Sequence, residues 1–310
     1  MSEKVFITGG AGFIGSAIIQ RLAKENYEML VYDDLSFGNR SFLENNNVQL
    51  IQADILDSEE LQRSINAFKP QIVLHLAAVH FIPYCNQYPF KSANVNITGT
   101  KNVINAVMKY DGVEKIFFAS TAAVYPVSDE AIAETIDAKP LDIYGLSKLV
   151  GEEMFSRFHN DTKIPTIICR FFNAIGPNET NPHLVPEILK QVMTGTDTIK
   201  LGNVLPKRDF IHTSDMANAI ALLLKQFDKG IDTFNLGQGQ EYSVAEVVSA
   251  FEKAAARKLI VETDPEKVRS SDRLHLLADI SKLSAIIDWK PAISLEEGIK
   301  DLLNNYNGEQ

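Results

Sequence analysis

Lys4-Val5-Phe6-Ile7-Thr8-Gly9-Gly10-Ala11-Gly12-Phe13-Ile14-Gly15-Ser16 is the stretch that decides the fold. Its apolar run leads straight into glycines, which reads as a buried strand, a tight turn and a helix start. Glycines there let the backbone come close to a pyrophosphate, and the N–H groups and dipole of the following helix then hold the anion. The run fits G-x-G-x-x-G at Gly10, Gly12 and Gly15, and a wider-spaced variant at Gly9, Gly12 and Gly15. Taken alone, an ordinary strand-to-helix turn would account for it. A second apolar strand, Met29-Leu30-Val31-Tyr32, ends in Asp33 and Asp34. That is about twenty residues past the glycines, the spacing of a carboxylate that holds a ribose. Together the two strands predict a dinucleotide site.

Working outward, Val48 to Ala53 reads as a third strand ending at Asp54, and Ser58 as the capping serine of a helix that Pro70 stops. Ile72 to Leu76 reads as a fourth strand running into Ala77 and Ala78, whose small side chains leave room for a ligand over the strand end. A long helix over 92–110 carries Asn96-Ile97-Thr98-Gly99-Thr100, and the strand Lys115 to Ser120 follows. This alternation predicts an α/β fold, a Rossmann-type doubly wound parallel sheet. Residues 1–170 form the dinucleotide-binding domain in this reading, joined by part of 210–236. Past Arg170, Phe171 to Asn178 looks loop-like and prolines recur at 182, 186 and 206, so 171–310 reads mainly as a smaller C-terminal α/β substrate domain.

A chain of 310 residues can bury about three quarters of its unfolded surface, so it needs no covalent staples. Its 45% apolar and 23% charged residues are those of a globular protein, and no apolar stretch reaches the roughly 20 residues that span a bilayer. The short opening apolar run does not resemble a signal peptide, and the two cysteines, Cys85 and Cys169, lie far apart without metal spacing. A reducing cytoplasm is the expected setting. The net charge of −10 without a basic cluster argues against nucleic acid or an anionic membrane as partner.

Tyr144 and Lys148 sit four apart on a helix expected to start near Asp142, so they share one face. A phenol ionises near pH 10, but an ammonium held beside it favours the phenolate. A surface aromatic and a solvated lysine would look the same in isolation. Their position after the fifth strand, with Ser120 and Thr121 at its end, sharpens the reading. A hydroxyl donor, a tunable phenol and a cation around a nicotinamide suit removal of a proton from an alcohol as its hydride leaves.

With these residues in view, the chain resembles the extended short-chain dehydrogenases/reductases, specifically the NAD-dependent nucleotide-sugar epimerases and dehydratases. The resemblance spans nearly the whole chain. It is carried by Thr8 to Gly15, Asp54-Ile55, His75-Leu76-Ala77-Ala78, Asn96 to Thr100, Ser120 to Tyr125 and Tyr144-Gly145-Leu146-Ser147-Lys148. Arg170-Phe171-Phe172-Asn173, Arg208-Asp209-Phe210, Phe234 to Gly239, Arg269 to Asp272 and Asp288-Trp289-Lys290-Pro291 extend it.

It implies epimerisation of a nucleotide-activated hexose, a UDP-hexose at C4 through a 4-keto intermediate, in a homodimer joined by the helices near 92–110 and 144–160. A reductase, decarboxylase or dehydratase on the same scaffold, or a non-catalytic NAD-binding regulator, are the alternatives. Tyr144 is implied as the base, Lys148 as the partner of the nicotinamide ribose and Thr121 as the partner of the sugar hydroxyl. For NAD it implies Gly9, Gly12, Phe13, Ile14, Gly15, Asp33, Asp54, Ile55, Leu76, Ala77, Ala78 and Asn96. Asn173 and Arg208 are implied for the substrate diphosphate, with Arg269 a further candidate, although Asn173 also reads as a turn residue and Arg269 as a surface charge. Trp289 reads as a packing residue.

Three stretches depart from the family pattern. Ala122-Ala123 stands where dehydrating members carry acids just after the threonine. The stretch Val79-His80-Phe81-Ile82-Pro83-Tyr84-Cys85 replaces a small polar segment, with Cys85 in place of a serine. His80 and Cys85 are therefore expected to contact the sugar, or the segment simply packs under a loop. Leu201 to Lys207 differs from the commonest version, which leaves the nucleotide base open.

Overall fold

The opening run sends its side chains alternately into two cores, which commits it to the middle of a parallel sheet. In the computed structural model, which describes residues 2–44, 46–265 and 273–306, β1 (Glu3–Thr8) points Val5 and Ile7 to one face and Phe6 to the other, all fully buried. The next strands are β2 (Tyr27–Asp33), β3 (Val48–Gln52), β4 (Ile72–His75), β5 (Lys115–Thr121) and β6 (Thr166–Phe171). Then come β7 (Asn173–Ile175), β8 (Thr198–Leu201), β9 (Lys207–His212), β10 (Ile231–Leu236), β11 (Glu241–Ser243) and β12 (Ile260–Thr263). Among the described residues, seven of these form one parallel sheet in the order β10-β6-β5-β4-β1-β2-β3. The chain works outward from β1 through β2 and β3, then crosses to β4 on the other side. The carboxyl ends of β1 and β4 therefore part, and a crevice opens between them.

Helices cover both faces. The first helices in chain order are α1 (Phe13–Leu22), α2 (Ser58–Phe68), α3 (Ile82–Gln87), α4 (Pro89–Ala93), α5 (Thr100–Met108) and α6 (Ile143–Thr162). They are followed by α7 (Leu184–Met193), α8 (Thr213–Gln226), α9 (Val244–Ala255), α10 (Ser281–Ile287) and α11 (Leu295–Asn304). Val5 and Ile7 share their core with α1, α8 and α10, and Trp289 is buried there as a packing residue. Phe6 shares the other core with α2, α5 and α6. A separate core joins α7, α9 and α11 over the short sheet β11-β9-β7, and β8 pairs with β12 beside it. Capping boxes at Ser243 with Glu246 and at Ser294 with Glu297 start α9 and α11.

The structure differs from the sequence reading at several boundaries. Asp57, not Ser58, caps α2, because its carboxylate reaches the Glu60 N–H while Ser58 already has helical geometry. β3 stops at Gln52. The helix expected over 92–110 is α4, a π-helical stretch at Asn94–Gly99, and α5. The segment after Arg170 is not a loop: β6 runs to Phe171, and Asn173–Ile175 pairs in parallel with Phe210–His212. Its partner lies 37 residues along the chain, a distance over which local patterning carries no signal.

Candidate active site

A cleft of about 1200 Å³ runs across the carboxyl ends of β1, β2, β4 and β5, and Asn173, Arg208 and Tyr242 close its far side. Gly9, Gly12, Phe13, Ile14, Gly15, Asp33, Asp54, Ile55, Leu76, Ala77 and Ala78 all line it. Two glycines explain the shape. Gly9 has φ +73°, and a Cβ there would lie 2.5 Å from the Ala77 backbone nitrogen, so β1 and β4 meet this closely only without a side chain. A Cβ on Gly12 would touch only the Gly9 carbonyl oxygen, at 3.4 Å, so its missing side chain opens space for a ligand. The N-terminus of α1 has no capping side chain and no acid in its first turn, which suits a bound diphosphate.

At the end of β2, the Asp33 carboxylate accepts the Ala11 and Leu35 N–H groups, each at 2.9 Å, one on each oxygen. Burial pushes its pKa up, and those two hydrogen bonds oppose the rise. Each oxygen keeps a lone pair for a ribose hydroxyl. The cradle thus fits a dinucleotide on three counts: the open backbone at Gly12, the uncapped helix end and the carboxylate about one strand away.

Thr121 ends β5, and Tyr144 and Lys148 come from α6, which starts at Asp142 through a 2.8 Å bond from the Gly145 N–H to the Asp142 carboxylate. All three line the cleft, as do Ala122 and Ala123. Burial drives the Tyr144 phenol well above its ordinary value, opposed by the Thr121 hydroxyl. Burial also lowers the Lys148 ammonium to about 7, with Glu152 pulling it back up. Lys148 Nζ lies 4.3 Å from the centre of the Phe118 ring, which shields it from water. Glu152 gives Lys148 limited help because it is already engaged. Its carboxylate takes a forked pair of bonds from Arg170, at 2.9 and 2.6 Å, and one from the Ser120 hydroxyl at 2.5 Å. The Arg170 guanidinium also lies 4.7 Å from the centre of the Tyr125 ring.

Other expected residues fall in different places. Asn96 is buried outside the cleft lining. Its amide donates to the Val79 carbonyl and the Ser147 hydroxyl, both at 2.9 Å, and accepts the Val79 N–H at 2.8 Å, so it braces the loop after β4. Cys85 is fully buried and does not reach the cleft, because α3 turns its thiol inward to the Val79 carbonyl at 3.5 Å. His80 does line the cleft, next to Ile82, Pro83 and Asn86. Its imidazole is held neutral, with its pKa lowered to about 4, first by burial and then by His183. Asn173 is exposed on β7 at the cleft wall. Arg208 lines the same wall, with Nη1 donating to the carbonyls of Lys207 at 2.8 Å and Arg273 at 2.7 Å. Arg269 lies outside the described residues.

Several cleft residues escaped the sequence reading. Arg273 lines the cleft, and its guanidinium donates to the carbonyls of Tyr125 at 2.8 Å, Pro126 at 3.3 Å and Ala123 at 3.4 Å, tying down the turn after Thr121. Glu179, Thr180, Pro182 and His183 also line the cleft. A polar run between two prolines, Asn178 to Asn181, was their only signal in the sequence.

Comparison with known proteins agrees with this geometry. A family profile described as GDP-mannose 4,6 dehydratase matches residues 6–302. A UDP-glucose 4-epimerase of Mycoplasma genitalium is 30% identical over 331 residues, spanning 98% of this chain and 96% of that one. Among solved structures, the UDP-glucose 4-epimerase of Thermus thermophilus in complex with NAD superposes with a TM-score of 0.90 at 30% identity, covering 99% of this chain and 100% of that one. The Thermotoga maritima UDP-glucose 4-epimerase with UDP-glucose gives a TM-score of 0.89 at 26% identity over 97% of each chain.

Proposed function

We propose, proceeding from the family to which this chain belongs, the nucleotide-sugar epimerases and dehydratases of the extended short-chain dehydrogenase/reductase type, that it interconverts nucleotide-activated hexoses at C4 using NAD. The observation that carries this reading is the convergence of Thr121, Tyr144 and Lys148 on one cleft wall, with Ala122 and Ala123 beside them in place of acids. Bound NAD would accept the hydride from the sugar carbon and give it back. Gly12, the α1 N-terminus and Asp33 would hold it, with Lys148 as a hydrogen-bond donor to the nicotinamide ribose.

Thr121 would orient the sugar hydroxyl, and Tyr144 would take its proton. Because burial makes the bare phenol a poor acid, Tyr144 becomes a base only with a cation close by, and Lys148 on the same helix face is the group placed to supply it. Once the 4-keto sugar has turned over in the cleft, Tyr144 would give the proton back to the C4 oxygen while the hydride is returned to the opposite face of C4, which inverts that carbon. Asn173 and Arg208, across the cleft, are proposed to hold the diphosphate, a fit for charge-assisted hydrogen bonds from a guanidinium. Exposed Phe90, Met108 and Leu146 on or beside α4, α5 and α6 support a homodimer through those helices.

The test is a proton NMR time course over UDP-, dTDP-, GDP- and CDP-hexoses with NAD-loaded protein. A C4 epimer should appear from at least one of them. No conversion of any sugar, or a product altered elsewhere on the ring, would overturn the reading.

A further inference from the structure

The stretch between β7 and α7 belongs to the second domain but is bonded to the first at three separate places. The Asn178 amide donates to the Ser16 hydroxyl at 3.2 Å. The Thr180 hydroxyl donates to the Phe37 carbonyl at 3.2 Å. The Asn181 amide meets His80 Nε2 at 3.0 Å. These partners are not neighbours in the chain. Ser16 is buried in the first turn of α1, next to Gly15 of the cradle; Phe37 follows β2, beyond Asp33; His80 follows β4 and lines the cleft with Tyr144 and Lys148. Glu179 and Thr180 of this segment line the cleft itself, and the three bonds tie the segment to elements at the cradle, beyond Asp33 and on the side of Tyr144.

The contacts are specific in kind. Ser16 can accept from Asn178 because its own proton goes to the Phe13 carbonyl, at 2.9 Å. His80 can accept from the Asn181 amide because burial keeps its ring neutral. Asn181 is buried, and so is Glu179, whose carboxylate sits 3.2 Å from His183 Nδ1. Asn178 adopts φ +71°, a left-handed conformation that asparagine tolerates better than most residues and that turns its side chain back to Ser16.

We propose that residues 178–181 form a clasp that retains the dinucleotide through the catalytic cycle, with Asn178, Thr180 and Asn181 as positioning residues that must let go of the first domain before the cofactor can leave. The inference rests on the NAD-dependent reading above and adds to it the means of retention. The chemistry gives it a purpose. A reduced cofactor that escaped between hydride removal and hydride return would strand the oxidised sugar.

The experiment uses the full chain loaded with NAD and chased with an excess of a fluorescent etheno-NAD, so that the release rate is read without turnover. Asn178→Ala combined with Asn181→Ala removes two of the three bonds. It should speed release about 30-fold, which converts to ~2 kcal/mol at about 1.4 kcal/mol per tenfold. Thr180→Val should speed release less, and Thr180→Ser, which keeps the donor, should restore the parent rate. The far-UV circular dichroism of each variant without NAD should match the parent's, so that faster release is not read from an unfolded chain; a modest fall in melting temperature is expected, because Asn181 and Ser16 are buried and lose a hydrogen bond. A double variant that releases NAD within twofold of the parent rate overturns the clasp while leaving the cofactor assignment standing. A parent protein that binds no NAD overturns both.

Discussion

Arg170→Met should destabilise the protein by about 3–5 kcal/mol, because it leaves the Glu152 carboxylate buried without its countercharge. Both side chains are less than a tenth exposed, and the pair is a two-bond fork, so truncating one partner strips a desolvated charge rather than a surface one. For a chain of 310 residues the unfolding entropy near the midpoint is about 0.65 kcal/mol/K, from ~2.1 cal/mol/K per residue. The midpoint should then fall by roughly 5–8 °C, readable by calorimetry. A second readout follows from the network. Without Arg170, Glu152 is left to Ser120 and to Lys148 one helical turn away, so the Lys148 pKa should rise from about 7. Its titration is accessible by NMR with labelled lysine. The double variant Glu152→Gln with Arg170→Met should recover ~2 kcal/mol relative to the sum of the single changes, since neither leaves an unpaired charge. A loss below ~1 kcal/mol for Arg170→Met, with an unmoved Lys148 titration, would refute the argument.

Tyr144→Phe should abolish turnover while NAD affinity, measured by calorimetry, stays near the parent's; turnover within tenfold of the parent would remove Tyr144 from the mechanism. NAD should bind in preference to NADP, because the Asp33 carboxylate at the cleft would repel a 2′-phosphate and Arg40 is exposed away from the cleft lining; equal affinities would show otherwise. His75 is fully buried between the hydroxyls of Thr8 at 2.7 Å and Thr100 at 2.9 Å, and burial lowers its pKa to about 3. An unfolded histidine takes a proton near pH 6.5, so His75 contributes stability above that pH and loses it progressively as pH falls toward 3. Urea unfolding at pH 7.5 and pH 4.5 should therefore show a smaller acid loss for His75→Asn than for the parent.

The strands at the centre of the seven-stranded sheet were legible because their information is local. A strand that reads apolar on both faces, glycines where a side chain would block β4, and an acid at the end of β2 each announce themselves within a few residues. Tyr144 and Lys148 were legible for the same reason, as one helix face. What the sequence hid depends on distant backbone. β7 exists because β9 lies beside it, and Cys85 looked like a sugar contact until α3 rotated its thiol into the core. Asn96 carries a family motif but acts on Val79 and Ser147, through a π-helical turn that no periodicity reveals. Asn178, Thr180 and Asn181 find their partners Ser16, Phe37 and His80 only because the fold brings them together.

The central claim is that a hydride leaves the sugar C4 and returns to the same carbon without meeting solvent. NAD-loaded protein given UDP-glucose deuterated at C4 tests it directly by deuterium and proton NMR. The account predicts a C4 epimer that keeps the deuterium at C4, with no 4-keto-6-deoxy sugar accumulating, since Ala122 and Ala123 offer neither acid nor base for loss of water. Epimer with the C4 label replaced by solvent hydrogen, or a build-up of the keto sugar in its place, would contradict it.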